Sequence, residues 1–453
     1  MSGDAVTYAR VQFGITAVAH WLFVALTLGL VAFVVICQVQ WYRTNNPIYE
    51  RMTKFWGQLY VVNYAVGIAT GIVMEFQFGL NWSGLTHFAG NVIGSPLSVE
   101  TLVAFFLEST FLGMWIFGWN TVSRKVHLGL IIATAGTAWA SVILVVGANA
   151  FLQHPQSYTI EHGKAVITSL GDLLSNPNMW RAVPHVATAS MTTGLIFVLG
   201  VSSWHLLRKP ADHPDRKLYL KSFHISLYTS IPFIFLTALL GGLMIDLVNE
   251  EQPIKGAIFD GDFDLARREA AEAEAQYGPG NYVPPLAFAY WAKFLMRNSA
   301  ILMLSVVGVV ALLTIKSYFW RKPKLQRAAF WTFGLLIPVP FIAGASGWIF
   351  REIGRQPWAI YHVLKTEDAV SHRSAGAMLT SLIVFAVLVA TLAITDWTLL
   401  FRIARRGPDA SQLGRGAPPP TDDEPLYGDD PMYGDQAAQR DESNVTVLEG
   451  RSQ

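Results

Sequence analysis

Cysteine is nearly missing: Cys37 is the only one in 453 residues. An internal disulfide is therefore excluded, as is any metal site built from several thiolates. Charge is scarce too. Asp, Glu, Lys and Arg make up 14% of the chain, against about 25% in a typical soluble domain. The net charge of +1 gives no basic surface for nucleic acid. A local absence matters as well: residues 76–98 contain no Lys or Arg. Finally, no internal repeat with paired Gly/Pro-broken spans is visible, which argues against the alternative of a membrane transporter.

What fills the chain is apolar. Hydrophobic residues are 52% and aromatic residues 13%, and the mean hydropathy is +0.36. A spanning helix needs about 20 mostly apolar residues. By that rule the sequence predicts an all-α integral membrane protein with about nine spans, near 12–40, 54–75, 98–119, 127–150, 184–207, 219–246, 286–316, 328–351 and 374–402. The first apolar stretch is too long for a cleavable signal and reads as a true span. Positive residues gather after the odd-numbered spans, at Arg43, Arg51, Lys54, Arg124, Lys125, Arg208, Lys209, Arg402 and Arg405 among others. Cytoplasmic loops carry such an excess. The N-terminus is then outside and the C-terminus cytoplasmic. The transmembrane domain is residues 1–406, with a long outer loop at 247–285. Within that loop, Leu265–Gln276 is rich in Ala, Glu and Arg and predicts a short surface helix. The stretch 407–453 is Gly-, Pro- and Asp-rich, a composition expected of a disordered cytoplasmic tail.

Ionisable groups in lipid are costly and mark function by default. His20 lies in the first span, Glu100 and Glu108 in the third, His185 opens the fifth, and Lys293, Met296 and Arg297 sit early in the seventh. Glu352 closes the eighth, inside Gly347-Trp348-Ile349-Phe350-Arg351-Glu352-Ile353-Gly354-Arg355-Gln356-Pro357-Trp358. An interfacial anchor would explain Trp348 or Trp358 alone, but anchoring needs no Glu or Gln beside two arginines. Glu100 and Glu108 are eight residues apart, about 12 Å along a helix and about 80° around it. Stepped carboxylates suit a proton relay; two structural acids bonded to neighbouring helices are the plain alternative. His20 and His185 could be satisfied core histidines, although an unpartnered imidazole is costly in lipid. His with Met is an axial pair for haem iron, and Met296 lies at His185's depth. A lone Met in a span is usually packing, and Met303 competes for the role.

These residues carry a resemblance. Gly354–Trp358, Ala104–Phe111, Leu26-Thr27-Leu28-Gly29 after His20, and Gly194 to Gly200 after His185 together resemble subunit I of the bacterial bd-type terminal oxidases, from about Tyr8 to Arg406. The resemblance implies an electrogenic, non-pumping quinol:oxygen oxidoreductase of the bacterial inner membrane, partnered by a second membrane subunit and small single-span subunits. A non-quinol relative of the family is the nearer alternative. It implies two haem b and one haem d, or a third haem b in its place. His185 and Met296 match ligands of the low-spin b haem, and His20 and Glu352 match ligands of the haem pair that takes O2. Glu100 matches an acid near that pair, Glu108 with Ser109 a proton route from the cytoplasm, and Arg355 and Trp348 residues supporting the pair. Lys255 falls at the functional lysine of the short quinol loop, and Asp260 stands where that loop usually carries glutamate. Phe294 stands where the family often has arginine, and Lys293 or Arg297 would replace its charge.

Overall fold

The computed structural model describes residues 3–167, 169–315 and 318–415. Among the described residues, nine helices or helix pairs are long and apolar enough to cross a membrane. α1 (Gly3–Thr44) and α2 (Pro47–Asn81) are joined by a tight turn. Asn46 caps α2 by accepting from the Ile48 amide at 3.0 Å, and Pro47 takes the first helical position, where a missing N–H costs nothing. The third span is composite: α3 (Ser83–Val99), a π-helical segment Glu100–Phe105, and α4 (Phe106–Phe117). α5 (Arg124–Gln153) follows, then a hairpin of β1 (Tyr158–Glu161) and β2 (Lys164–Ile167) and a short α6 (Leu170–Leu174). α7 (Pro177–Arg208) and α8 (Arg216–Glu251) form the next antiparallel pair.

Two short helices interrupt the bundle: α9 (Pro253–Asp260) and α10 (Phe263–Tyr277). Pro253 opens α9 and Gly261, at φ +83°, closes it; a left-handed residue at that place favours glycine. The Asp262 side chain caps α10 through the Leu265 amide at 2.8 Å. The chain then returns through α11 (Leu286–Ile315), α12 (Pro323–Leu336) and α13 (Pro338–Ile353). A second hairpin, β3 (Trp358–Ile360) with β4 (Leu364–Lys365), leads through α14 (Thr366–Ala369) to α15 (Ala375–Arg406).

α1 and α7 are the most enclosed spans, whereas α8 and α15 turn most of their surface outward. α1 packs on α2, α7, α15, α5 and α13. It can approach α7 closely because Gly29 faces Gly194; a Cβ on either would strike the other helix's backbone. The main core joins Phe33, Phe55, Trp56, Tyr60, Leu195, Tyr219, Phe223 and Phe333 across the bundle. A separate apolar cluster seats the inserted helices: Ile254, Ile258, Ala266 and Ala270 pack with Tyr282, Phe350 and Trp358.

Several sequence expectations change. The stretch 76–98, left between the second and third predicted spans, is mostly helix, since α2 runs to Asn81 and α3 begins at Ser83. The 247–285 segment is largely helical; the surface helix expected at 265–276 is α10. The eighth span is broken, because Pro338 lacks an N–H and its ring clashes with the preceding turn. Residues 407–415, assigned above to the tail, fold back onto α2. Ser411 Oγ donates to the Lys54 carbonyl at 3.1 Å and Leu413 is buried. The rest of the expected tail, 416–453, lies outside the described residues.

Candidate active site

The C-terminal ends of α5, α8 and α13, the N-terminal turn of α7 and the inserted α9 meet at one end of the bundle. Glu352 on α13 is the centre. Its Oε1 accepts from Asn149 Nδ2 and from Gln153 Nε2, both at 3.2 Å, and its Oε2 accepts from Arg355 Nη2 at 2.5 Å. Asn149 and Gln153 are four residues apart on α5, so both face α13. Arg351 donates through Nε to Asn149 Oδ1 at 2.8 Å and through Nη2 to Asn178 Oδ1 at 3.4 Å. Asn178 donates in turn to Glu251 at 2.8 Å, and His154 Nδ1 lies 3.2 Å from the other Glu251 oxygen.

Lys255 reaches this network from α9. Its side chain is 3% exposed, and Nζ donates to Gln153 Oε1 at 2.8 Å. Burial, then the nearby Arg351 and Arg355 guanidiniums, push its amine well below the ordinary lysine range. Gln153 therefore bridges the inserted helix and Glu352. Asp260 is not drawn into the cluster: it is exposed, and five residues along α9 from Lys255 it points about 140° away. It lies within electrostatic range of Lys293, which is buried against the Tyr290 and Phe259 rings.

Arg355 is 6% exposed, and its Nε and Nη1 have no hydrogen-bond partner among the described residues. Two buried, unpaired guanidinium donors suit an anionic group, as the propionates of a haem would be. The histidines fit iron as well. His185 Nδ1 lies 3.0 Å from the Thr237 carbonyl of α8. A carbonyl only accepts, so Nδ1 carries the proton and Nε2 keeps its lone pair. His20 repeats this: Nδ1 is 3.1 Å from Thr70 Oγ1, whose own proton goes to the Gly67 carbonyl at 2.9 Å. In neither ring does Nε2 have a hydrogen-bond partner among the described residues. Metal-ligating histidines are oriented in this manner by their second nitrogen.

Met296 of α11 lies against Gly347 of α13, and His185 is within electrostatic range of Arg351, one turn further along α13. Both therefore border the same turn. Met303 instead is buried in the main core. Trp348 is half-buried one turn before Glu352. His20 is held by α2 and makes no direct bond to Glu352 among the described residues; its neighbour Trp21 abuts Gly344 of α13.

Glu100 and Glu108 both lie within electrostatic range of Tyr64 of α2. Glu100 accepts from Ser141 Oγ of α5 at 2.6 Å. Glu108, 7% exposed, lies within electrostatic range of Tyr60 and Tyr64 of α2, and Ser109 Oγ is 3.3 Å from the Tyr64 hydroxyl. The π-helical segment Glu100–Phe105, with its i→i+5 bonding, turns less than about 100° per residue, so the separation of about 80° counted on a regular α-helix does not carry over unchanged. They remain within electrostatic range of each other.

Asn149, Gln153 and Asn178 were not anticipated as site residues, and Arg351 was singled out only as a member of the 347–358 cluster. A signal existed for two of them: Asn149 and Gln153 are polar residues four apart at the end of an apolar span.

Known proteins share this arrangement of spans. The family model described as cytochrome bd terminal oxidase subunit I matches residues 8–277 and 269–408. The chain is 33% identical over 450 residues to cytochrome bd ubiquinol oxidase subunit 1 of Bacillus subtilis (strain 168), covering 88% of this chain and 93% of that one. It is 28% identical to cytochrome bd-II ubiquinol oxidase subunit 1 of Escherichia coli (strain K12), covering 90% and 98% respectively. The solved bd oxidase of Geobacillus thermodenitrificans superposes with a TM-score of 0.77 at 27% identity, covering 90% of this chain and 100% of that chain.

Proposed function

The chain belongs to the cytochrome bd terminal oxidase subunit I family, and on that premise we propose that it oxidises quinol at the outer face and reduces O2 to water at a haem pair, charging the membrane without pumping. Membership makes it an oxidoreductase acting on quinol, a multi-pass protein of the bacterial inner membrane with haem cofactors and a second membrane subunit. Small single-span subunits would complete the assembly. Two haem b and one haem d, or a third haem b in its place, would fill the cofactor sites. When bound, they supply one-electron transfer and an iron that takes O2.

His185 and Met296 would hold the low-spin b haem, and His20 and Glu352 the pair. The observation that carries this is the matched state of the two histidines, each with Nδ1 committed and Nε2 left for a ligand. Arg355 would neutralise a propionate with the donors it has to spare. Trp348, on the same helix face as Glu352, would support the pair.

The cluster end of the bundle would face outward. Quinol would bind along α9, with Lys255 on its inner side and Asp260 at its exposed tip. Its protons would leave to the outside. Glu108 with Ser109 would collect protons from the cytoplasm and hand them toward Glu100, the acid nearer the pair. Directional charge transfer then follows from placing proton source and proton release on opposite faces.

The test is a reduced-minus-oxidised spectrum with haem extraction from the purified complex, repeated for His185→Ala and Glu108→Leu. His185→Ala should lose the low-spin b band alone. Glu108→Leu should keep its haems and slow oxygen consumption. An unchanged band in the first, or an unchanged rate in the second, overturns the corresponding role; a protein without haem overturns the whole proposal.

A further inference from the structure

Each of the three neutral donors proposed for the irons rests against a glycine of a neighbouring helix. A Cβ added to Gly71 of α2 would stand 3.1 Å from His20 Cε1. Added to Gly241 of α8, it would stand 2.9 Å from His185 Cε1, and added to Gly347 of α13, 2.8 Å from Met296 Sδ. Carbon atoms prefer about 3.5–4.0 Å, so an alanine at any of the three must displace the side chain or the helix.

These contacts differ from ordinary small-residue helix packing. Between Gly29 and Gly194 the obstructing atoms are backbone, and the glycines let two helices cross. At Gly71, Gly241 and Gly347 the obstructing atoms belong to the side chain itself. Cε1 is the ring carbon between the two nitrogens. A glycine beneath it sets how far the ring stands off, while the Nδ1 bond sets how it is turned. The two constraints come from one helix in each case: Thr70 and Gly71 are adjacent on α2, and Thr237 and Gly241 are one turn apart on α8. With tilt and stand-off both fixed, the direction of the Nε2 lone pair is fixed.

We infer that Gly71, Gly241 and Gly347 are positioning residues that set where His20, His185 and Met296 present their ligating atoms. The inference rests on the ligand roles proposed above. It requires that alanine at Gly241 or Gly347 disturb one haem and alanine at Gly71 another. Two glycines serve as controls: Gly242 and Gly79 have open space where a Cβ would go.

The experiment uses the complete membrane complex carrying Gly71→Ala, Gly241→Ala, Gly347→Ala, Gly242→Ala or Gly79→Ala. Each is examined by reduced-minus-oxidised absorption, paramagnetic resonance of the oxidised low-spin iron, and haem extraction. Gly241→Ala and Gly347→Ala should shift or abolish the low-spin signal and spare the bands of the pair. Gly71→Ala should do the reverse, and both controls should match the unsubstituted protein. Unshifted signals in a seat variant overturn that seat, and equal loss of all haems from every seat variant reduces the three to general packing. If Gly241→Ala fails to accumulate, His185→Ala is added to it. Clearing the ring should restore accumulation if the clash lies there, and no recovery overturns the seat. The ligand roles fail separately: His185→Ala with an intact low-spin signal overturns them, whereas His185→Ala without the signal beside an unaltered Gly241→Ala overturns only the seat.

Discussion

The two ends of the bundle both gather arginines, lysines and carboxylates, but in opposite ways. At the end where α2 and α8 begin, Asp215 is 4% exposed and binds Arg51 at 2.5 Å and Lys209 at 2.9 Å. Arg51 also takes Asp409 at 2.6 Å, just beyond α15. Burial alone would raise the Asp215 carboxyl, yet Lys209 and Arg51 outweigh it and hold it below the usual aspartate range. Asp215, Asp409 and Glu50 each meet a cation there. At the other end, among the described residues, Lys255 bonds only to a neutral amide, and Arg355 keeps two buried nitrogens, Nε and Nη1, unpaired. Completed charge pairing is what a clasp between chain segments needs. Spare donors in a buried place carry a desolvation penalty that a partner must offset, so the unfinished end is the one built to hold something.

The largest effect should come from Glu352→Ala. It removes the acceptor that engages Asn149, Gln153 and Arg355, and breaking such a buried pair costs about 3–5 kcal/mol. Oxygen consumption should fall beyond the roughly 10–100-fold typical of losing a supporting partner at a metal site. Turnover near the unsubstituted rate would erase the contrast between the ends. Arg355→Leu comes next, with about a 10–100-fold loss in turnover. Arg355→Lys should recover little, because a point charge cannot replace the guanidinium fork. Full recovery with lysine would mean that the spare N–H groups serve nothing.

Asp215→Asn should act on stability alone, lowering it by about 1.5–3 kcal/mol as hydrogen bonds to charged groups weaken. Spectra and rate should stay as they were. Because its folded value is depressed, this contribution is present above about pH 4, the ordinary aspartate value, and is lost as pH falls through the folded value. Thermal midpoints against pH check both statements. The smallest effect concerns Lys255. Its folded value is depressed too, but it is a base, so the neutral form is the one that folding favours. Stability then rises with pH from the folded value up to about 10.4. Lys255→Met should flatten that rise and raise the quinol KM. A rise of unchanged slope would show that Lys255 is not the group responsible.

The spans were legible because twenty apolar residues in a row have few other places to go. Their ends were not. α1 runs from Gly3 to Thr44, well past the apolar core at 12–40, because helices continue into polar surroundings where hydropathy gives no signal. Short elements such as α9 owe their existence to Pro253, Gly261 and the apolar bed of Phe350 and Trp358, and only the first two are visible locally. Individual site residues stood out because ionisable groups in apolar runs are rare. What joins them did not: the bridge from Lys255 through Gln153 to Glu352 links residues roughly a hundred or two hundred positions apart.

The break before Pro338 has a consequence for how this chain tolerates change. At the joint, Ile337 keeps helical dihedrals, φ −49° and ψ −48°, so Pro338 interrupts the hydrogen-bond ladder while α12 and α13 stay in rotational phase. α13 runs 16 residues to Ile353, about 24 Å at 1.5 Å per residue. A residue gained or lost between Pro338 and Glu352 swings the carboxylate by about 100°, away from its three donors. The joint loosens the ladder without resetting the angle, so it gives the span no place to take up a change in length.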